Sequence, residues 1–172
     1  RYGVTSLSSA SNGYAYAGTD GGGVHRFAAG IDGISGATVF DTDWSLLPSN
    51  TILSTYVIDT IQAFGTPHGV ALHYSEFTKS DWEVFDSNMG LVNDTVLSIC
   101  RDNDLTWWFG TPQGLSSYEP STESWNSYTV NSHGLLSNHI SFLALDAEGS
   151  IWMASDAGLS VLSGGQVTNY PK

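Results

Sequence analysis

The sequence is poor in positive charge, in cysteine and in long apolar runs, and each shortage removes a class of function. Lysine and arginine total 5 against 17 aspartates and glutamates, for a formal net charge of −12. So acidic a chain repels phosphate backbones and anionic bilayers, both of which need cations from the protein. Nucleic acid is therefore not an expected partner. No stretch reaches the ~18–20 apolar residues of a bilayer span, so membrane insertion is not expected either. The single cysteine, Cys100, cannot form an internal disulfide, a multi-cysteine zinc cluster or a Cys-x-x-Cys-His haem attachment. Lying in Val96-Leu-Ser-Ile-Cys100, it reads as a small core residue. Amphipathic helical periodicity is missing throughout. The chain starts at Arg1 with no initiating methionine and no signal-peptide pattern, which reads as a processed or excised piece.

What the sequence does contain is a repeat. Gly18, Gly65, Gly110 and Ala154 lie 47, 45 and 44 residues apart. A small hydroxyl follows each: Thr19, Thr66, Thr111, Ser155. Then come a variable pair and a glycine, Gly69, Gly114 and Gly158, with Gly21-Gly-Gly23 in the first copy. An apolar residue closes the motif: Val24, Val70, Leu115, Leu159. Upstream of each motif runs a β-rich segment, Val4–Leu7, Ile52–Asp59, Val96–Asp102 or Ile140–Asp146. Downstream runs another, Thr38–Phe40, Trp82–Phe85, Trp125–Tyr128 or Val167–Tyr170. Runs of this length bounded by Gly, Asn, Asp and Ser are strands. Four short antiparallel strands every ~45 residues make a β-propeller blade.

The fold expected is therefore all-β: one propeller domain over residues 1–172, with four four-stranded blades near 1–44, 45–87, 88–131 and 132–172. The copies run in phase, which leaves either a closed four-bladed ring or an arc completed by other copies. The glycine after each turn supplies positive φ. Aspartates ending the first strands (Asp59, Asp102, Asp146) are placed to bond amides of the next turn. Tyr16, Trp108 and Trp152 occupy an aromatic position suited to filling the gap between blades. The second copy has Ala63 there and only six residues from Asp59 to Gly65, where Asp102 to Gly110 is eight. It should have a tighter turn, thinner packing and the least stability.

Residues 134–159 and 90–118 carry the run Gly-Leu-x-(Ser/Asn)-(Asn/Asp)-x-(Val/Ile), the Asp-turn-Trp segment and the Gly-Thr or Ala-Ser pair before a glycine turn. With Thr19-Asp-Gly-Gly-Gly-Val24, this pattern resembles the repeats of the two-component-regulator propeller family across the whole chain. The resemblance implies a bacterial propeller of the periplasmic sensor type, extracellular or periplasmic, often linked to carbohydrate use.

In such a propeller the connectors between blades and the turns between second and third strands share one face, where ligands sit. The candidates there are Asn50, Pro67, His68, Asn93, Gln113, Asn138, His139 and Asp156, with Asp20 and Asp94 beside them. Amides, imidazoles and carboxylates suit a polar small molecule, a glycan or a peptide; the same residue types are also ordinary turn formers. The histidines His25, His68, His73, His133 and His139 show no metal-binding spacing. Asp102-Asn-Asp104 has clustered oxygens but lacks the glycine and distal glutamate of an EF-hand loop. No cofactor is expected, loose Ca²⁺ near Asp102 and Asp104 being the one exception those oxygens allow. Asn93-Asp-Thr95 is an N-glycosylation triplet, and Thr60 and Thr95 follow aspartates as in some O-linked sites. No nucleophile–base pair, Gly-x-Ser-x-Gly or phosphate loop is present, so no catalytic residue is assigned. The leading expectation is a non-catalytic extracytoplasmic binding module for a polar ligand or protein partner. The alternatives are a subunit that self-assembles into an oligomer or filament through blade edges and faces, and a propeller-based lyase or glycosidase.

Overall fold

The computed structural model describes residues 2–11, 13–30, 33–74 and 81–172. Its strands fall where apolar and β-branched residues alternate between turn signals. The first sheet holds β1 (Val4–Ser9), β2 (Tyr14–Thr19), β3 (Val24–Gly30) and β4 (Gly33–Phe40). The second holds β5 (Ser54–Ile58), β6 (Ile61–Thr66), β7 (Gly69–His73) and β8 (Trp82–Phe85). The third holds β9 (Ser98–Arg101), β10 (Trp107–Thr111), β11 (Gly114–Glu119) and β12 (Ser124–Tyr128). The fourth holds β13 (Ile140–Leu145), β14 (Ile151–Ser155), β15 (Gly158–Ser163) and β16 (Gln166–Pro171). Each sheet is an antiparallel meander in sequence order, which is the blade expected from the repeat.

One element was not anticipated. The connector after β12 contains a single helical turn, α1 (Val130–His133). Thr129 caps it through Ser132 N, and the Ser132 hydroxyl accepts in return from Thr129 N at 3.0 Å. Gly134 ends it in the left-handed region at φ 72°. Four residues are too few for a periodicity signal, so only the caps mark it.

The chain divides into two compact units, Arg1–Phe85 and Asp86–Lys172, each with two blades. In the first unit the two sheets pack face to face over Tyr16, Val24, Leu47, Ile52, Phe64, Ala71 and Trp82. Gly18 allows the close approach: a Cβ there would lie 2.6 Å from Ile52 Cγ2. In the second unit Gly110 plays the same part, since its Cβ would lie 2.9 Å from Ile140 Cγ2. There the Leu143 amide of the fourth blade also donates to Ser98 Oγ of the third at 2.9 Å. Cys100 is buried. Burial, and secondarily the negative charge of Asp102, pushes its thiol up to about 12, so it is an inert core residue.

The second blade packs closely against the first. Phe64 tilts against Tyr16 at 6.3 Å and Trp82 at 6.0 Å, and His73 stacks on Trp82 at 4.5 Å. His73 is buried with Gln62, 2.6 Å from its Nδ1. By register His73 and Trp82 share a face with Gln62 and Phe64, opposite Ala63, so these rings pack the blade against the first sheet and do not occupy the place of a ring at Ala63.

Candidate functional site

The loops at the predicted ligand end are built by repeated local hydrogen bonds. In every second-to-third-strand turn the small hydroxyl donates to the carbonyl of the closing glycine. Thr19 reaches Gly23 at 2.8 Å, Thr66 reaches Gly69 at 2.8 Å, Thr111 reaches Gly114 at 2.8 Å and Ser155 reaches Gly158 at 3.0 Å. The same oxygen accepts from an amide within the turn, that of Gly22, His68, Gln113 or Ala157. Gly114 and Gly158 sit at φ 139° and 136°, and a Cβ on either would press to within 2.5 and 2.3 Å of the fourth-strand carbonyls of Tyr128 and Tyr170. Only glycine fits there.

The connectors repeat a second device. Two residues before Ile52, Val96 and Ile140 stand Asn50, Asp94 and Asn138. Each accepts a backbone amide from the start of its own connector: Thr42 at 2.9 Å, Ser87 at 2.6 Å and Val130 at 2.8 Å. One residue earlier, Ser49, Asn93 and Ser137 each accept from the amide two residues on, at 3.0, 2.9 and 3.1 Å. These are Asx and hydroxyl turns that fix the loop path.

The candidates therefore separate by local role. The side chains of Asn50, Asn93 and Asn138 hold their connectors in shape. His68 in the first unit, and Gln113, His139 and Asp156 in the second, are exposed and make no side-chain hydrogen bond among the described residues. Pro67 is half-buried beside His68. Asp20 accepts from Thr51 Oγ1 at 3.3 Å, joining a first-blade turn to the connector that follows. The result is a set of polar groups on loops whose backbones are already pinned. His133, at the end of α1, bonds Ser132 Oγ at 2.8 Å and lies 4.4 Å from the Tyr128 ring.

At the other end of the sheets, Asp102 and Asp146 each form a complete clasp. Asp102 Oδ1 accepts from Asp104 N at 3.0 Å and Thr106 N at 2.9 Å, while Oδ2 accepts from Trp108 Nε1 at 2.8 Å. Asp146 does the same with Glu148 N at 3.1 Å, Ser150 N at 2.7 Å and Trp152 Nε1 at 2.7 Å. The indole bond to Trp152, then the Ser150 amide, holds the Asp146 carboxyl below its ordinary range. The amide bonds expected of Asp102 and Asp146 are present, none to Asp59 is found among the described residues, and the indole bonds were missed. Their signal is an aspartate six residues before a tryptophan, present twice. With both Asp102 oxygens taken by N–H donors, this loop uses its aspartate for shape. Among the described residues no group of three or more His, Cys, Asp or Glu side chains gathers to hold a metal. Of the three aromatics expected between blades, Tyr16 tilts against Phe64 of the next sheet, whereas Trp108 lies 5.6 Å from Tyr128 and Trp152 stacks on Tyr170 at 6.2 Å.

Four in-phase four-stranded meanders with this loop chemistry define β-propeller blades. No protein-family model and no curated protein matches the sequence. Solved structures do. The extracellular domain of a hybrid two-component system from B. thetaiotaomicron is similar at TM-score 0.82 and 19% identity, over 99% of this chain and 23% of that one. A second such domain from the same organism matches at TM-score 0.72 and 20% identity, over 98% of this chain and 21% of that one. Streptogramin B lyase matches at TM-score 0.73 and 12% identity, over 99% of this chain and 55% of that one. This chain thus spans less than a quarter of the two extracellular domains. At these identities the likeness is one of fold, and it agrees with the family resemblance carried by the repeat motifs.

Proposed function

We propose that this chain is a non-catalytic binding module that works outside the cytoplasm and takes a polar ligand, a glycan or a peptide, on its turn-and-connector loops. The observation that carries this reading is the split among the loop residues. Asn50 in the first unit, and Asn93 and Asn138 in the second, pin the backbone, which leaves the exposed His68 of the first unit, or Gln113, His139 and Asp156 of the second, to meet a ligand at little ordering cost. The likeness to extracellular domains of two-component-system proteins supports the location and the sensor-type role. A net charge of −12 favours a neutral or cationic ligand. The lyase likeness is one of fold and supplies no acid–base pair among these residues.

The test is a thermal-shift and calorimetric screen of neutral oligosaccharides, amino sugars and short basic peptides, run with His68→Ala and with His139→Ala/Asp156→Ala. Binding by the parent that one of these variants weakens at least ~10-fold supports the loop face. Binding that both variants retain in full places the ligand elsewhere and defeats the reading, as does turnover of a bound saccharide.

A further inference from the structure

The three connectors between blades open with the same kind of tight turn, so the residues at their crests can be compared. Asp41 Oδ1 accepts the amides of Asp43 at 3.0 Å and Trp44 at 3.1 Å, and the Asp41 carbonyl accepts the Ser45 amide at 2.9 Å and the Ser45 hydroxyl at 2.6 Å. Asp86 holds Asn88 N at 2.9 Å and, through its carbonyl, Met89 N at 3.1 Å; Thr129 Oγ1 holds Ser132 N at 3.1 Å. The third residue after the opening one is thus Trp44, Met89 or Ser132, and the turn forms with each of them. The turn does not require an indole. Yet Trp44 is 80% exposed, more than any other large apolar side chain described, and Leu46 beside it is 43% exposed. Tryptophan is seldom left so bare. The connector joins two blades that pack on each other within the first unit, and Leu47 lies in their core. The indole is therefore held out on a fixed loop and is not the uncovered face of a sheet.

We propose that Trp44 and Asp43 form a binding site for a cationic group, the guanidinium or ammonium of a basic peptide, which lies over the indole and is balanced by the neighbouring carboxylate. Charge chooses the occupant. Asp43 is exposed, and its carboxylate takes no hydrogen bond among the described residues. Asp20 belongs to the same end of the blades, tied to this connector through Thr51 Oγ1 at 3.3 Å. Among the described residues of the first unit the one lysine or arginine is Arg26, which is buried and packed over the Tyr14 and Phe40 rings. The loop thus has carboxylates and an indole face but no cation of its own to meet them. A neutral sugar would gain the ring and nothing from the carboxylates, and an anion would be repelled. Because the turn is pinned beforehand, little ordering is needed on binding. This inference rests on the reading of the loop end as a binding surface and names the charge of the ligand, but it depends on none of His68, Gln113, His139 and Asp156.

Calorimetry at low salt, with a capped Gly-Arg-Gly-Arg-Gly peptide and the same peptide carrying citrulline for arginine, tests it. The parent is expected to bind the charged peptide at least ~5-fold more tightly than the neutral one, and Trp44→Ala to lose at least ~5-fold. Asp43→Asn should lose ~2-fold or more, a difference that added salt removes. Trp44→Phe, which keeps a ring, should fall between the parent and Trp44→Ala. All these side chains are exposed, and unchanged far-ultraviolet dichroism checks that the variants fold. A parent that binds neither peptide, or both alike, overturns the proposal, as does a Trp44→Ala chain that binds like the parent. A neutral oligosaccharide held through Trp44 also overturns it, since stacking without charge would then suffice. Loss of binding in His68→Ala with Trp44→Ala unaffected would remove this site and leave the loop-face reading standing.

Discussion

The first hairpins of the second and fourth blades solve one problem in opposite ways. In the fourth, Asp146 grips two turn amides and the Trp152 indole, so a single carboxylate ties strand, turn and ring together. In the second, Asp59 and Thr60 join β5 to β6; Asp59 sits at φ 50° and, among the described residues, its carboxylate receives only Ser11 Oγ, at 3.4 Å. No tryptophan is present to be gripped. The blade is held instead by Phe64, Trp82 and His73 against the first sheet. The shorter hairpin gives up a polar clasp and relies on apolar burial, so the two blades should fail under different substitutions.

The largest effect should follow from Phe64→Ala. It removes a fully buried ring at the centre of the first unit's core, which costs about 3–5 kcal/mol. Urea unfolding followed by tryptophan fluorescence, with Trp82 as the local reporter, measures it. A loss below ~1 kcal/mol would mean that the aromatic cluster does not replace the clasp. Next comes Asp102→Ala, which leaves the Trp108 indole and two amides without their acceptor and should cost about 1–3 kcal/mol. Asp59→Ala, made for contrast, should stay within ~0.5 kcal/mol. Equal losses at the two positions would erase the distinction between the blades.

How much of this was legible in the sequence depends on the range over which each feature is specified. Strand positions, the glycine turns and the amide bonds of Asp102 and Asp146 are local, and a pattern a few residues wide carries them. The same pattern wrongly extended those bonds to Asp59, whose two-residue turn is too short for them. The indole bond was hidden because a tryptophan reads first as apolar bulk, and its N–H counts only once the Asp146-to-Trp152 spacing is considered. The packing of the second blade against the first was hidden because it depends on Trp82, far along the chain and brought to the Phe64 face by the β7–β8 pairing, whereas Ala63 lies on the opposite face. At the loop face, asparagine serves equally as turn former and ligand contact. Only the hydrogen bonds divide Asn50 and Asn138 from His68 and Asp156.

Protonation gives a third way to separate the blades. Because the Trp152 and Ser150 bonds lower the folded pKa of Asp146, the unfolded chain takes up its proton first as pH falls. The stability from this group is complete above its ordinary value of 3.8 and is lost as pH drops through the lower folded value. Comparing urea midpoints at pH ~6 and ~3 should therefore show a steeper acid loss in the parent than in Asp146→Asn. Identical slopes would show that the clasp does not discriminate between the charged and neutral carboxyl.

The smallest effect, Asp59→Gly, bears most directly on the comparison. A left-handed φ costs an L-residue about 1–2 kcal/mol, less for aspartate, and glycine is relieved of it. Glycine also widens the unfolded ensemble, which takes back about 0.4–1 kcal/mol. The bond lost among the described residues, from Ser11, is long and exposed. The terms nearly cancel, and the midpoint should move by no more than ~0.5 kcal/mol, toward greater stability. Asp102→Gly, placed where the side chain is the clasp, should destabilise like Asp102→Ala or more. A drop beyond ~1 kcal/mol at Asp59 would mean that the short hairpin does depend on its carboxylate, and the two blades would then share a mechanism that their geometries disguise.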